Sequence, residues 1–191
     1  MNWFTKLFSS TLGKKLIMAL TGLFLISFLV IHLIGNLQLL HNDGGRAFNI
    51  YADFMGNNPL IQIVSKVNFA LILMHALWGL ILTLKNRAAR GAQGYVKVGK
   101  SSPWASRNMG ILGTLILIFL VVHIKDFYAE AHFGNMTTAT YDGQVVKDLY
   151  STVAYWFAKA WYVGLYTVCM IALGYHLWHG FSSAFQTLGL N

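Results

Sequence analysis

The chain is poor in charge: Asp, Glu, Lys and Arg together make up 10% of its 191 residues, where a soluble domain carries about a quarter. So little charge excludes a soluble globular fold. Acid is the scarcer sign, with six carboxylates against fourteen Lys and Arg. Cysteine is almost missing. The single Cys169 lies within an apolar run, so neither a disulfide framework nor a thiolate cage is available, and any metal must be held by nitrogen or oxygen. The chain also lacks GxGxxG, HExxH and CxxCH, and no Glu-x-x-His set stands inside an apolar run. A dinucleotide fingerprint, a zinc-protease pair, a covalent haem attachment site and a di-iron carboxylate centre are thereby excluded. There is no internal repeat, and nothing resembles a nucleic-acid module.

What the chain has is apolar length. Hydrophobic residues make up 56% of it, gathered into runs at about Leu16–Leu40, Ile61–Leu84, Met109–Ile124 and Trp161–Phe185. Each is near the ~20 residues a helix needs to cross ~30 Å of hydrocarbon. The expected fold is an all-α integral membrane helix bundle of four transmembrane helices, a single domain over 1–191. The amino-terminal apolar run is too long for a secretion signal and lacks a small-x-small cleavage site, so it reads as a retained first helix, with Met1–Ser10 flat on the membrane surface.

Charge sets the orientation. With four alternating spans, Lys6, Lys14, Lys15, Lys85, Arg87, Arg90, Lys97, Lys100 and Arg107 fall on one side. Arg46, Lys66, Lys125, Lys147, Lys159 and all six acids (Asp43, Asp53, Asp126, Glu130, Asp142, Asp148) fall on the other. The positive-inside rule puts the first side, with both termini, in the cytoplasm. That basic face is offered to a soluble partner or to anionic membrane lipid. The first span closes at His41-Asn42-Asp43-Gly44-Gly45 and the second opens after Asn57-Asn58-Pro59, where proline suits a helix start. RAFNIYADFMG between them reads as a short amphipathic segment on the outer surface. NRAARGAQGYVKVGKSSPWASRN, residues 86–108, reads as a glycine- and serine-rich loop, and the outer connection as Asp126–Lys159, with KDLYSTVAYWF leading helically into the last span.

Each span carries one deep histidine: His32, His75, His123 and His176. An ionisable residue at membrane depth is costly and marks a functional site by default. His32 lies 17 residues after Lys15 and His123 lies 16 after Arg107, so both stand about 25 Å from the inner charge boundary at ~1.5 Å per residue. His75 lies 10 residues before Lys85 and His176 lies 10 before Gln186, about 15 Å from the same boundary. Two imidazoles at one depth on different helices can clamp one iron, as bis-histidine haem b requires, and the arrangement occurs twice, with haem between the helices and the two irons roughly 10 Å apart in depth.

The alternative is that each histidine is only a hydrogen-bonding core residue, a reading that serves one such residue better than four at two matched depths. It serves His41, at an outer helix end, and His132, in an outer loop. His179 lies one turn beyond His176 on a neighbouring face, suited to a propionate or quinone contact and second to His176 as ligand. Lys15 and Arg107, at the inner mouth, could neutralise propionates or simply anchor in lipid headgroups. Asp43, His41, Asp126 and Glu130 gather at the outer end, where they serve as proton carriers or as plain solvated groups. Gly22, Gly35, Gly79, Gly110, Gly113, Gly164 and Gly174 suit close helix approach, and Gly35 and Gly79, on the faces of His32 and His75, are the candidates for making room for a flat macrocycle.

The stretches KKLIMALTGLFLISFLVIHLIGNL, AFNIYADFMGNNP, LMHALWGL, SRNMGILGTLILIFLVVHIKDF and YHLWHGFSSAFQTLG resemble, in order and over most of the chain, the cytochrome b subunit of succinate dehydrogenase and fumarate reductase in its two-haem, single-polypeptide anchor form. The resemblance implies that His75 and His176 ligate a proximal, cytoplasmic-side haem b and His32 and His123 a distal one. It also implies a flavoprotein subunit and an iron–sulfur subunit as partners, holding the FAD and the iron–sulfur clusters, and a quinone, menaquinone above all, as the electron partner in a bacterial inner membrane. Members of that family usually have a fifth transmembrane helix after the stretch matching SAFQTLG, where this sequence stops. Two other functions fit the same residues: the dihaem cytochrome b subunit of a hydrogenase or formate dehydrogenase, and a haem-free transporter or scaffold. No catalytic residue is assigned.

Overall fold

The computed structural model describes residues 2–91 and 104–190. Four of its helical segments are long and apolar enough to cross a membrane: Thr11–Leu40, Pro59–Arg90, Trp104–Phe133 and Ala160–Leu188. In chain order the elements are α1 (Trp3–Ser9), α2 (Thr11–Asn36, closed by a 3-10 turn Leu37–Leu40), α3 (Arg46–Asn57), α4 (Pro59–Arg90) and α5 (Trp104–His123). A π-helical turn, Ile124–Ala129, continues α5 into α6 (Glu130–Phe133), and β1 (Thr138–Tyr141), β2 (Gln144–Lys147), α7 (Leu149–Phe157) and α8 (Ala160–Leu188) follow. Large apolar side chains stay exposed along the long helices, among them Leu33, Leu73, Val121 and Ile171. In water such a surface would aggregate; against hydrocarbon it is solvated.

Local chemistry sets the helix starts. Ser10 Oγ accepts from Gly13 N–H at 2.9 Å at the head of α2. Asn58 Oδ1 accepts from Leu60 N–H at 3.0 Å, with Pro59 at the first helical position of α4, where its missing donor costs nothing. The two carboxylate oxygens of Asp43 accept from Gly45 N–H (3.0 Å) and Ala47 N–H (2.8 Å), closing the entry to α3, and Asp148 caps α7 through Ser151 N–H at 3.1 Å.

Two expected boundaries are corrected. Residues 86–108 were expected to be a loop, but Asn86–Arg90 completes α4 and Trp104–Asn108 opens α5; residues 92–103 lie outside the described residues. Ala88 and Ala89 are strong helix formers, and charged side chains at a helix end project into water. The outer connection starts after Phe133, not at Asp126, because the π turn carries the helix onward. It then holds an antiparallel hairpin pairing Thr138 with Lys147 and Tyr141 with Gln144. Asp142 (φ 51°) and Gly143 (φ 83°) are both left-handed, the Asp-Gly turn that matches the twist of two adjoining strands.

The described chain forms two compact units, and each takes a section of every long helix. Met1–Ile26, Phe69–Leu117 and Ile171–Asn191 make the first, and Ser27–Asn68 with Ile118–Met170 the second. In the first, Ala105 and Leu112 of α5 meet Ala172 of α8, all buried, with Met109 against them, a seam of mainly small side chains that lets helices approach closely in lipid. In the second, Asn49 of α3 is fully buried. Its Nδ2 donates to Tyr141 Oη (3.1 Å) and Asp148 Oδ1 (2.9 Å), and its Oδ1 accepts from Tyr150 N–H (2.8 Å). One amide thus joins α3, the hairpin and the head of α7. Arg46 pairs with Asp142 across the same junction, and Lys159 Nζ lies 3.7 Å over the Tyr155 ring where α7 turns into α8.

Candidate metal centres

In the first unit, α4 brings His75 beside His176 of α8, with ring centroids 6.2 Å apart and ring planes at 68°. Both rings are half-buried. Thr21 Oγ1, on α2, stands 3.1 Å from His75 Nδ1 and 2.8 Å from the Ile17 carbonyl. A hydroxyl has one proton, and the carbonyl can only accept, so Thr21 donates to Ile17 and accepts from His75 Nδ1–H. That leaves His75 Nε2 as a bare lone pair. Among the described residues, His176 Nδ1 is buried without a hydrogen-bond partner. The Cβ missing from Gly22 would lie 3.4 Å from His75 Cε1, so this glycine gives the ring its clearance.

In the second unit, His32 of α2 stands beside His123 at the end of α5, with centroids 5.6 Å apart and planes at 89°. Phe28 stacks on His32 at 5.5 Å and Phe119 on His123 at 5.6 Å, one helical turn from each histidine. Tyr166 Oη, on α8, is 3.1 Å from His123 Nδ1. Hydrogen bonding at Nδ1 with Nε2 left over is the usual arrangement of an imidazole that binds metal.

The donor sets would suit a haem in their type and spacing. One metal ion between two imidazoles, with metal–nitrogen bonds of about 2 Å, puts the ring centroids about 6 Å apart. Both pairs lie close to that separation. Among the described residues no group of three or more His, Cys, Asp or Glu is assembled that could hold a metal by itself.

The other predicted residues are placed as follows. His179 is half-buried in the first unit, one turn past His176, and the ring beside His75 is that of His176. Lys15 and Arg107 are exposed in that same unit. His41 is exposed beyond the 3-10 turn; His132 sits at the end of α6, its Nδ1 2.9 Å from the Tyr128 carbonyl. Of the outer acids, Asp43 is a helix cap, Glu130 is exposed and Asp126 is buried. At the two glycines expected to make room for a macrocycle, a Cβ at Gly35 would stand 2.5 Å from Tyr51 Cε1 and one at Gly79 would stand 3.3 Å from Met18 Cε. Both glycines make room for neighbouring side chains, and Gly22 is the one that faces a histidine. Sequence reasoning also missed Thr21, Tyr162 and Tyr166. A hydroxyl inside an apolar run was the available signal, strongest for two tyrosines four residues apart, since a buried Tyr hydroxyl seeks a partner.

Fold and site together define a helical protein with four membrane-spanning candidates and two histidine pairs held among its helices. No family model, curated protein or solved structure matches the chain.

Proposed function

We propose that this chain is the dihaem cytochrome b anchor of a succinate:quinone oxidoreductase, multi-pass in a bacterial inner membrane with its amino terminus in the cytoplasm. The carrying observation is the pairing of rings: His75 with His176 at 6.2 Å and His32 with His123 at 5.6 Å, the couples that matched depth and the family resemblance both require. His75 and His176 would hold the proximal haem and His32 and His123 the distal one. Each haem, when bound, supplies a one-electron couple set by its axial ligands, their hydrogen bonds and the low dielectric around them.

The chain's own residues do the rest. Thr21 holds His75 in the tautomer that presents Nε2, Gly22 clears its ring, and Phe28 and Phe119 fix His32 and His123 while keeping water away. Lys15 and Arg107, exposed in the unit that holds the proximal pair, serve as propionate or lipid-headgroup contacts, with His179 as a further propionate or quinone contact. Flavin and iron–sulfur chemistry belong to partner subunits docked on the basic cytoplasmic face. Menaquinone is the electron acceptor this reading favours, and an open cleft of about 570 Å³ lined by Lys125, Asp126, Glu130, Tyr155 and Trp156 offers a quinone headgroup both donors and acceptors.

A reduced-minus-oxidised optical spectrum with a haem assay on the purified protein tests this. Two b haems per chain are expected; His32→Ala or His123→Ala should remove one signal and His75→Ala or His176→Ala the other. Colourless protein from haem-replete cells refutes the reading and leaves the transporter or scaffold. Co-purifying nickel or molybdenum, in place of flavin with succinate-reducible haem, points to the hydrogenase or formate dehydrogenase subunit.

A further inference from the structure

His123 differs from the other three paired histidines in what stands behind it. Its Nδ1 meets Tyr166 Oη at 3.1 Å, Tyr166 Oη meets Tyr162 Oη at 3.0 Å, and Tyr162 Oη meets Asp126 Oδ2 at 3.1 Å. Tyr162 is fully buried and Asp126 nearly so, while the other carboxylate oxygen accepts from Lys125 Nζ at 2.8 Å. The path is held rigidly: Tyr162 and Tyr166 pack ring to ring at 4.6 Å, and Phe119 and Phe157 each stand 4.9 Å from Tyr166.

Proton counting gives the path a direction. A carboxylate paired with an ammonium accepts and does not donate, and each phenol has one proton. Tyr162 therefore donates to Asp126 and must accept from Tyr166. Tyr166, its proton used, must accept from His123 Nδ1–H. Every link runs toward the carboxylate, and the imidazole is left with a bare Nε2. At His75 the corresponding path ends within one hydroxyl on a neutral helix carbonyl, and His176 Nδ1 has no partner among the described residues.

We propose that Asp126, Tyr162 and Tyr166 form a carboxylate–tyrosine–tyrosine relay that fixes the tautomer of His123 and makes it a more electron-rich ligand, biasing the iron it binds toward the oxidised state. These three are positioning residues: they act through His123 and do not touch the metal. Hydrogen bonds that withdraw the second imidazole proton raise ligand basicity, and polarisation along a chain of such bonds in low dielectric passes the effect of the charge inward. The inference rests on the haem reading for its consequence and on hydrogen-bond geometry alone for its cause.

The test has two independent arms. In the haem-free full chain in detergent, nitrogen-15 NMR of labelled histidine should show His123 as the Nδ1–H tautomer, and Tyr166→Phe or Asp126→Asn should convert it to a mixture. An Nε2–H tautomer in the wild type overturns the relay whether or not haem binds. In the haem-loaded protein, Tyr166→Phe should shift the oxidation–reduction equilibrium of the His32–His123 haem about tenfold toward the reduced form, a rise of ~59 mV for one electron, with the other haem unmoved. A shift below twofold, or an equal shift of both haems, overturns it. If Asp126→Asn fails to fold, Tyr166→Phe, which removes one oxygen and keeps the ring, carries both arms. A wild type that shows the expected tautomer but binds no haem sinks the functional reading and leaves the hydrogen-bond path standing.

Discussion

Replacing Asn49 by alanine removes the amide that ties α3 to the hairpin and to the head of α7. The side chain is fully buried and makes three hydrogen bonds of 2.8–3.1 Å, to Tyr150 N–H, the Asp148 carboxylate and Tyr141 Oη. A neutral bond contributes about 0.5–1.5 kcal/mol and one to a charged group about 1.5–3, with the orphaned partners raising the cost. The loss expected for Asn49→Ala is therefore about 3–5 kcal/mol. Denaturant unfolding in mild detergent, followed by near-ultraviolet circular dichroism and extrapolated linearly, measures it. Hydrogen exchange adds position: amides of Arg46–Asn57, Thr138–Lys147 and Leu149–Phe157 should lose protection together, because the amide joins those elements. Asn49→Asp keeps an acceptor for Tyr150 N–H but sets a second carboxylate beside Asp148, so it should be worse than Asn49→Ala at neutral pH and recover in acid. A cost below about 1 kcal/mol for Asn49→Ala, or protection lost at only one of the three segments, would refute the idea that this amide holds the junction.

Asp148 makes the same junction acid-sensitive. Burial alone would push its carboxyl up, but donors from Ser151 and Asn49 hold it below the usual carboxylate range. A depressed folded value means the stability it contributes is present above the unfolded pKa of about 3.9 and is lost as pH falls through the folded value; Asn49→Ala removes one of the donors that depress it, so the stability deficit of that variant against the wild type should shrink as pH falls through this window. Gly35→Ala, whose new Cβ would stand 2.5 Å from Tyr51 Cε1, should cost about 1–3 kcal/mol by overpacking, whereas Gly113→Ala, with nothing within 4 Å among the described residues, should be neutral or stabilising by up to about 1 kcal/mol; equal effects would argue against the packing role of Gly35. If the proposed haems bind, Thr21→Val, which leaves His75 Nδ1–H without its acceptor, should weaken retention of the one at His75 and His176 about 10–100-fold on competition with a haem acceptor, sparing the other. Retention unchanged would remove Thr21 from the site.

The spans and the histidine couples were legible because both depend on simple measures along a rod. Apolar length sets a span, and rise per residue sets depth, so His32 could be matched with His123, and His75 with His176, by counting from charged boundaries. What stands behind each ring was not legible, because it depends on which helix lies next to which and at what rotation. Thr21, Gly22, Tyr162 and Tyr166 became visible only when α2 and α8 were placed beside the histidines. The hairpin was legible in principle, since Asp142-Gly143 between Thr-Ala-Thr-Tyr and Gln-Val-Val-Lys carries the turn chemistry, yet short polar strands lack the alternation that announces a sheet.

The i→i+5 turn that follows His123 has a consequence for comparing this chain with others. Such a turn lodges one surplus residue in the winding, so the stretch beyond it lags by about 100° the position the same residues would reach in an unbroken α rod. Excising one residue from Lys125–Ala129 would close the winding to an ordinary α turn and leave Phe133 facing the side it faces now, while everything up to His123 kept its place. Two homologous sequences could therefore share the histidine and diverge by a single gap just past it, and an alignment that forbids gaps within a hydrophobic span would misregister all the outer residues that follow.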